Sequence, residues 1–147
     1  MVASATTGGA AMTNGVEANG GLFGVWRLVS ARMTLLDSGE AADLLGAASK
    51  GYAVFHPSGR MMVILTAAGR TAPGGPGMTA YTGRFRVEGN RLITSVDAAW
   101  VPAWEGTEQP RFFELDGDKL TLSSEPNRND PLPGVLKVVR VEWEREG

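Results

Sequence analysis

The sequence predicts an all-β fold, an antiparallel up-and-down barrel of about eight strands around a central cavity. Short segments rich in β-branched and aromatic residues recur along the chain, separated by glycine, proline, asparagine and aspartate. No amphipathic helix alternates with these segments, which argues against a parallel α/β sheet. The last segment is long enough to pair with the first, so the sheet is expected to close without free edges.

The predicted strands follow one another at short intervals. They cover residues 22–35, 51–56, 60–67, 80–89, 90–100, a hairpin within 111–124, and 135–146. Gly89 and Gly117 lie in short segments between neighbouring strands, and the residues of these segments are typical of tight turns. Residues 70–79 and 125–134 are predicted loops because glycine and proline interrupt them. Residues 37–50 leave room for one helical turn.

Composition limits the classes of function. The chain has 147 residues, a net charge of −2, no cysteine and one histidine. The low charge argues against nucleic acid or anionic membrane as a partner, and no apolar run has the roughly 20 residues of a membrane helix. Without cysteine, disulfides and cysteine-based zinc sites are excluded, and we expect neither metal nor cofactor.

The first 20 residues are small and polar, with neither a basic start nor a continuous apolar segment. They do not resemble a secretion signal, and they offer too little apolar surface to offset the entropy of ordering. The sequence therefore predicts a disordered tail over 1–20, a single barrel domain over 21–147 and a cytoplasmic location.

A family resemblance supports the barrel. Gly24-Val25-Trp26 is the G-x-W pattern that begins the first strand of lipocalin-type barrels. A longer pattern follows in five segments: LFGVWRLVS (22–30), GYAVFHPSGRMMV (51–63), AYTGRFRVEG (80–89), VPAWEGTEQPRFFELDGDKLTLSS (101–124) and VEWER (141–145). Over residues 22–146 the chain resembles the lipocalin-like domain family of small stand-alone bacterial and fungal proteins.

The resemblance implies a barrel with a central cavity but no single activity, because one fold hosts many functions. It also implies that Trp26 packs near the closed end beneath an arginine of the last strand, either Arg140 or Arg145. Members of the family often carry histidine where this chain has Thr94 and Ser95, so no family mechanism is transferred here.

His56 is the only histidine, and it precedes Pro57-Ser58-Gly59, a β-turn composition. We interpret it as a turn residue, with a catalytic role as the less favoured alternative.

A second group of candidates, Trp100, Trp104 and Arg111, lies at a connection that contains proline and glycine. Aromatic faces bind flat apolar ligands, and arginine binds carboxylate, enolate or phenolate oxygens. The alternative is that these three side chains only pack the barrel end.

Residues on the strands complete the candidate site. Tyr81 and Phe85 share one face of the strand 80–89 and are predicted to point inward, with the Tyr81 hydroxyl as a hydrogen-bond donor. Tyr52 is a further ligand candidate, although both faces of its strand are apolar. Asp97 is a candidate general base if it faces the interior, and a solvent-facing carboxylate otherwise. Glu114 is likewise a candidate base if it faces the interior, and a solvent-facing carboxylate otherwise.

The sequence therefore predicts a protein that binds a small, largely apolar or aromatic molecule in its cavity through Tyr52, Phe85, Trp100, Trp104 and Arg111. The alternative is a cofactor-independent isomerase, cyclase or lyase, in natural-product or degradation metabolism, that uses Asp97 and Tyr81. A third hypothesis is an interaction protein whose cavity is filled by side chains. Exposed strand faces leave homodimerisation open.

Overall fold

The computed structural model describes residues 20–46, 48–71, 73, 77–128 and 132–146. The strands formed by these residues are β1 (Gly24–Leu35), β2 (Ala41–Asp43), β3 (Lys50–Phe55), β4 (Arg60–Thr66), β5 (Met78–Glu88), β6 (Arg91–Ala99), β7 (Glu108–Asp116), β8 (Lys119–Ser123) and β9 (Lys137–Arg145). A short 3-10 helix, Pro102–Trp104, connects β6 to β7. The predicted disordered tail lies outside the described residues, apart from Gly20.

The strands form a closed, eight-stranded antiparallel barrel with β2 as one extra strand. Strands β3 to β9 pair in chain order, and β9 pairs back with β1. That last pairing runs from Trp26 opposite Arg145 to Leu35 opposite Lys137. The predicted all-β barrel, closed by its last strand, is therefore confirmed.

The segment 37–50 differs from its prediction, because it contains strand β2 where the sequence left room for a helical turn. Three exposed residues, Ala41–Asp43, pair with Arg32, Met33 and Thr34 in the second half of β1. The first half of β1 pairs with β3 instead. A strand of three exposed residues shows no hydrophobic alternation, so the sequence carries no pattern that indicates it.

Alternate residues of each barrel strand point inward. In β5, Gly83 and Phe85 are buried while Arg84 and Arg86 are exposed, which is the arrangement that the alternation predicts. In β3 and β4 the buried set is Gly51, Ala53, Phe55, Met61, Val63 and Leu65. These assignments fix which side chains face the space enclosed by the barrel.

One end of the barrel is sealed around Trp26, which is 0% exposed. Its indole Nε1 donates a hydrogen bond to the Leu22 carbonyl oxygen at 2.9 Å. The Arg145 guanidinium lies 4.3 Å from the ring centroid and donates to the carbonyl oxygens of Gly21, at 2.6 Å, and Phe23, at 2.8 Å. Of the two arginines that the resemblance offered for this role, Arg145 fills it.

Replacing Arg145 by methionine is expected to lower the free energy of unfolding by about 2 kcal/mol. The variant loses the cation–π contact and leaves two part-buried carbonyl oxygens without their charged donor. Arg140 lies on the same strand but is exposed and bonds only Glu142 in the described chain. Arg140→Met is therefore the matched control, with an expected change within about 0.5 kcal/mol. If urea unfolding shows that both variants lose the same free energy of unfolding, the sealing role of Arg145 is contradicted.

Candidate functional site

The inward-facing side chains differ in burial. Around the sealed end Leu22, Trp26, Phe55, Leu120 and Trp143 are fully enclosed. Farther along the barrel Ala31, Leu65 and Gln109 are also buried, whereas four inward residues are only half-buried: Leu28, Phe113, Leu122 and Val141. All four lie within strands of a closed sheet, so their exposed surface faces the barrel interior. Their partial exposure indicates accessible space beside these four residues in the barrel interior.

Phe113, Leu122 and Val141 form a continuous apolar wall of this space. Phe113 on β7 pairs with Leu122 on β8, which in turn pairs with Val141 on β9. Cross-strand partners lie on the same face of a sheet, so the three side chains adjoin one another.

Arg111 brings a positive charge to the same interior. It alternates on β7 with Gln109 and Phe113 and pairs across the sheet with Leu92, which is buried. Its Nη1 donates to the Pro110 carbonyl oxygen at 2.8 Å, and its Nη2 donates to Gln109 Oε1 at 3.4 Å.

Tyr81 shares the interior with Arg111. Burial raises the pKa of the Tyr81 phenol, and the positive charge of Arg111 opposes this rise. The residue is nevertheless only half-buried by its surface, and it also borders a groove on the outer face of the barrel. At neutral pH the hydroxyl is protonated and acts as a hydrogen-bond donor.

Trp104 and Phe85 lie at opposite ends of the space. The Trp104 ring, on the 3-10 helix, meets the Tyr81 ring edge-on, with centroids 5.9 Å apart and planes at 89°. Phe85 is 9% exposed and packs edge-on against Phe55 at 5.1 Å, in the core of the sealed end. Three sequence candidates, Tyr81, Trp104 and Arg111, thus lie in the barrel interior or at its mouth, whereas Phe85 belongs to the packed core.

Tyr52 and Trp100 lie elsewhere, in an apolar groove on the outer face of the barrel. Each is 43% exposed, and Met62 and Ile64 lie beside them. The groove has a volume of about 610 Å³ and is lined mainly by outward-facing residues of β3 to β6, with Glu105 as its charged member. Tyr52 and Trp100 were predicted to line the cavity, and their outward orientation separates them from it.

The two candidate carboxylates also lie on the outside. Asp97 sits at a bulge where the β5–β6 register shifts, is exposed, and forms a 2.6 Å ion pair with Arg60. Glu114 is exposed on β7, between the inward residues Phe113 and Leu115. The structure therefore separates Asp97 from Tyr81, the residue with which it was expected to act.

The comparison with protein families adds to this geometry. A family model described as a lipocalin-like domain matches residues 23–145. The chain belongs to the lipocalin-like domain family. A lipocalin-like barrel suggests small-molecule binding in general. A search of curated proteins found no match. In the part of the chain that the structure describes, no helix is long and apolar enough to cross a membrane.

His56 of this lipocalin-like protein is exposed in the turn between β3 and β4. Its Nδ1 is 3.0 Å from the backbone nitrogen of Ser58, from which it accepts a hydrogen bond, and 2.9 Å from Ser58 Oγ. Gly59, with φ +93°, completes the turn, because residues other than glycine rarely adopt this conformation. The surroundings of His56 support the interpretation as a turn residue.

Sequence reasoning did not select several residues of the lipocalin-like barrel interior. Gln109, Leu122 and Val141 were not singled out. Alternation along RFFEL, with Glu114 exposed between Phe113 and Leu115, is the pattern that indicates the inner face of β7.

Lys137 was also not selected from the sequence. It is 0% exposed, and its ammonium contacts Asn127 Oδ1 at 3.3 Å and the carbonyl oxygens of Leu132 and Val135 at 3.5 Å.

Titration of Tyr81 tests its enclosure. The chain has two tyrosines, so Tyr52→Phe isolates Tyr81 in a tyrosinate absorbance titration. Because burial raises its pKa, the midpoint is expected above the ordinary value of about 10. The folded state then binds this proton more tightly than the unfolded state. The corresponding stability is complete below about pH 10 and is lost as the pH rises toward the folded-state pKa. A midpoint at or below about 10 in the folded protein would show that Tyr81 is not enclosed.

Proposed function

We propose that this lipocalin-like protein binds one small, largely apolar organic molecule inside its barrel. The observation that carries the proposal is the partial exposure of inward-facing residues, Phe113, Leu122 and Val141, within a closed sheet. A core filled by side chains would leave these residues as enclosed as Trp26 or Leu120. An eight-stranded barrel is just wide enough to hold one small ligand.

The composition of the interior fits this role. Ligand sites are mostly apolar, with a few polar groups that fix orientation. Here Phe113, Leu122 and Val141 provide apolar surface, while Tyr81 and Arg111 provide hydrogen-bond donors. The outer groove around Met62 and Ile64 offers apolar surface open to solvent on a sheet face, and Glu105 is its charged group.

Binding without conversion is favoured over cofactor-free catalysis. Isomerisation, cyclisation and elimination require a group that accepts a proton within reach of the bound molecule. The two carboxylates considered for this role, Asp97 and Glu114, are exposed on the outer face. Conversion of the ligand, a cytoplasmic location and homodimerisation remain predictions from the sequence.

Fluorescence titration with N-phenyl-1-naphthylamine, an uncharged apolar probe, tests the proposal. We expect saturable binding at one site per chain. Val141→Phe places an aromatic ring in the interior space and should weaken binding by about tenfold or more, equivalent to about 1.4 kcal/mol. Leu122→Phe serves as a second interior variant, and thermal unfolding establishes that each variant is folded.

The matched controls are Met62→Ser and Ile64→Ser, which reduce the apolar surface of the outer groove without altering the interior. They are expected to leave the affinity within about twofold of the parent protein. Loss of binding in these two variants, with the interior variants unaffected, would place the probe in the groove. That outcome, or an absence of probe binding, would overturn the proposal.

A further inference from the structure

The Arg111 side chain points into the barrel interior, where it is partly exposed. Its strand neighbours Gln109 and Phe113 face the same interior, and its cross-strand partner Leu92 is 2% exposed. Removing a charge from water is costly unless an opposite charge or several hydrogen bonds replace the lost solvation. The partners of Arg111 therefore decide whether its role is structural.

The partners of Arg111 in the described chain are two neutral acceptors from its own strand. They are the Pro110 carbonyl oxygen and the Gln109 side-chain oxygen, and the second lies at a long 3.4 Å. A guanidinium has five N–H donors, so these contacts leave most of its capacity unused. Within the described residues, no carboxylate forms an ion pair with Arg111.

Other arginines of the described strands differ from Arg111 in this respect. Seven have a carboxylate partner: Arg27, Arg32, Arg60, Arg86, Arg91, Arg140 and Arg145. Arg84 is exposed on the outer face of β5 and donates to the Ser58 carbonyl oxygen. Arg111 thus combines an inward orientation with the lack of a carboxylate partner among the described residues.

A second donor and an apolar wall accompany this charge. Tyr81 points inward from β5, in register with the buried Val63 on β4, and its phenol is protonated at neutral pH. Phe113, two residues from Arg111 on the same face, begins the apolar wall that continues through Leu122 and Val141. The interior therefore presents two donors beside a continuous apolar surface.

From this arrangement we infer that the ligand is an apolar organic acid, whose anionic group pairs with Arg111, with Tyr81 as a further donor in the same interior. Its apolar body lies against Phe113, Leu122 and Val141. The inference rests on the proposed function, because it names the ligand class for the same interior space. A carboxylate and an enolate share the required chemistry, a negatively charged oxygen at the end of an apolar body.

Competition between two matched ligands tests the inference. Decanoate and decan-1-ol carry the same apolar chain and differ in the charge of the terminal group. Each is used at neutral pH to displace N-phenyl-1-naphthylamine from the protein. We expect decanoate to bind about tenfold or more tightly than decan-1-ol, because a charge-assisted pair with Arg111 is stronger than a neutral hydrogen bond.

Variants of Arg111 identify the source of the preference. Arg111→Met should abolish the preference for decanoate while retaining the affinity for decan-1-ol and for the probe. Arg111→Lys keeps the charge but loses the planar fork of donors, so a reduced preference is expected. Arg84→Met, on the outer face, should leave the preference unchanged.

The results separate this inference from the proposed function. If the probe binds but decanoate has no advantage, or its advantage survives in Arg111→Met, the ligand class is wrong and the binding cavity stands. If Arg111→Met weakens the probe, the alcohol and the acid equally, Arg111 has only a structural role and the inference fails. If the probe does not bind the parent protein at all, both proposals fail.

Discussion

The pairing of β9 with β1 is the constraint on which the rest of this structure depends. It runs from Trp26 opposite Arg145 to Leu35 opposite Lys137 and closes the eight-stranded sheet. Once the sheet is closed, every second residue of each barrel strand faces an enclosed space whose width is set by the number of strands. Inward-facing residues therefore either fill that space or line it, and this barrel contains residues of both kinds.

The sealed end and the lined space serve different purposes. Around Trp26 the side chains of Leu22, Leu120 and Trp143 are enclosed, and Arg145 bonds to the segment that crosses this end. Farther along, Arg111 and Phe113 face accessible space. The packed core therefore contributes most of the stability, whereas Arg111 is an inward-facing charge without a carboxylate partner among the described residues. The proposed binding surface lies beside this core within the same barrel.

Much of the fold follows from patterns that are explicit in the sequence. Period-two alternation indicates the inner face of β5, with Phe85 buried and Arg84 exposed. The length of the last strand indicates closure. The G-x-W resemblance, with two arginines to choose from, leads to the contact between Trp26 and Arg145. These features rest on local pattern or on one long-range pairing, and the structure reproduces them.

The candidate site was less predictable because orientation depends on register. Tyr52 lies in a strand that is apolar on both faces, so alternation does not indicate which face is inside. Trp100 follows the bulge at Asp97, where Thr82 pairs with Ala98 but Gly83 pairs with Val96. The extra residue turns Trp100 away from the interior face that Val96 occupies. A bulge of this kind has no distinct sequence pattern, and it determines whether a side chain lines the cavity or the outer groove.

We propose that the space inside the barrel is the binding site and that the Arg111 guanidinium is the cationic anchor for a ligand anion. A crystal structure of the protein with 10-bromodecanoate, located by the anomalous scattering of bromine, tests this proposal most directly. We expect one bromine peak inside the barrel and a carboxylate within hydrogen-bond distance of Arg111. A peak confined to the outer groove beside Met62 and Ile64, with an interior that holds no ligand, would contradict it.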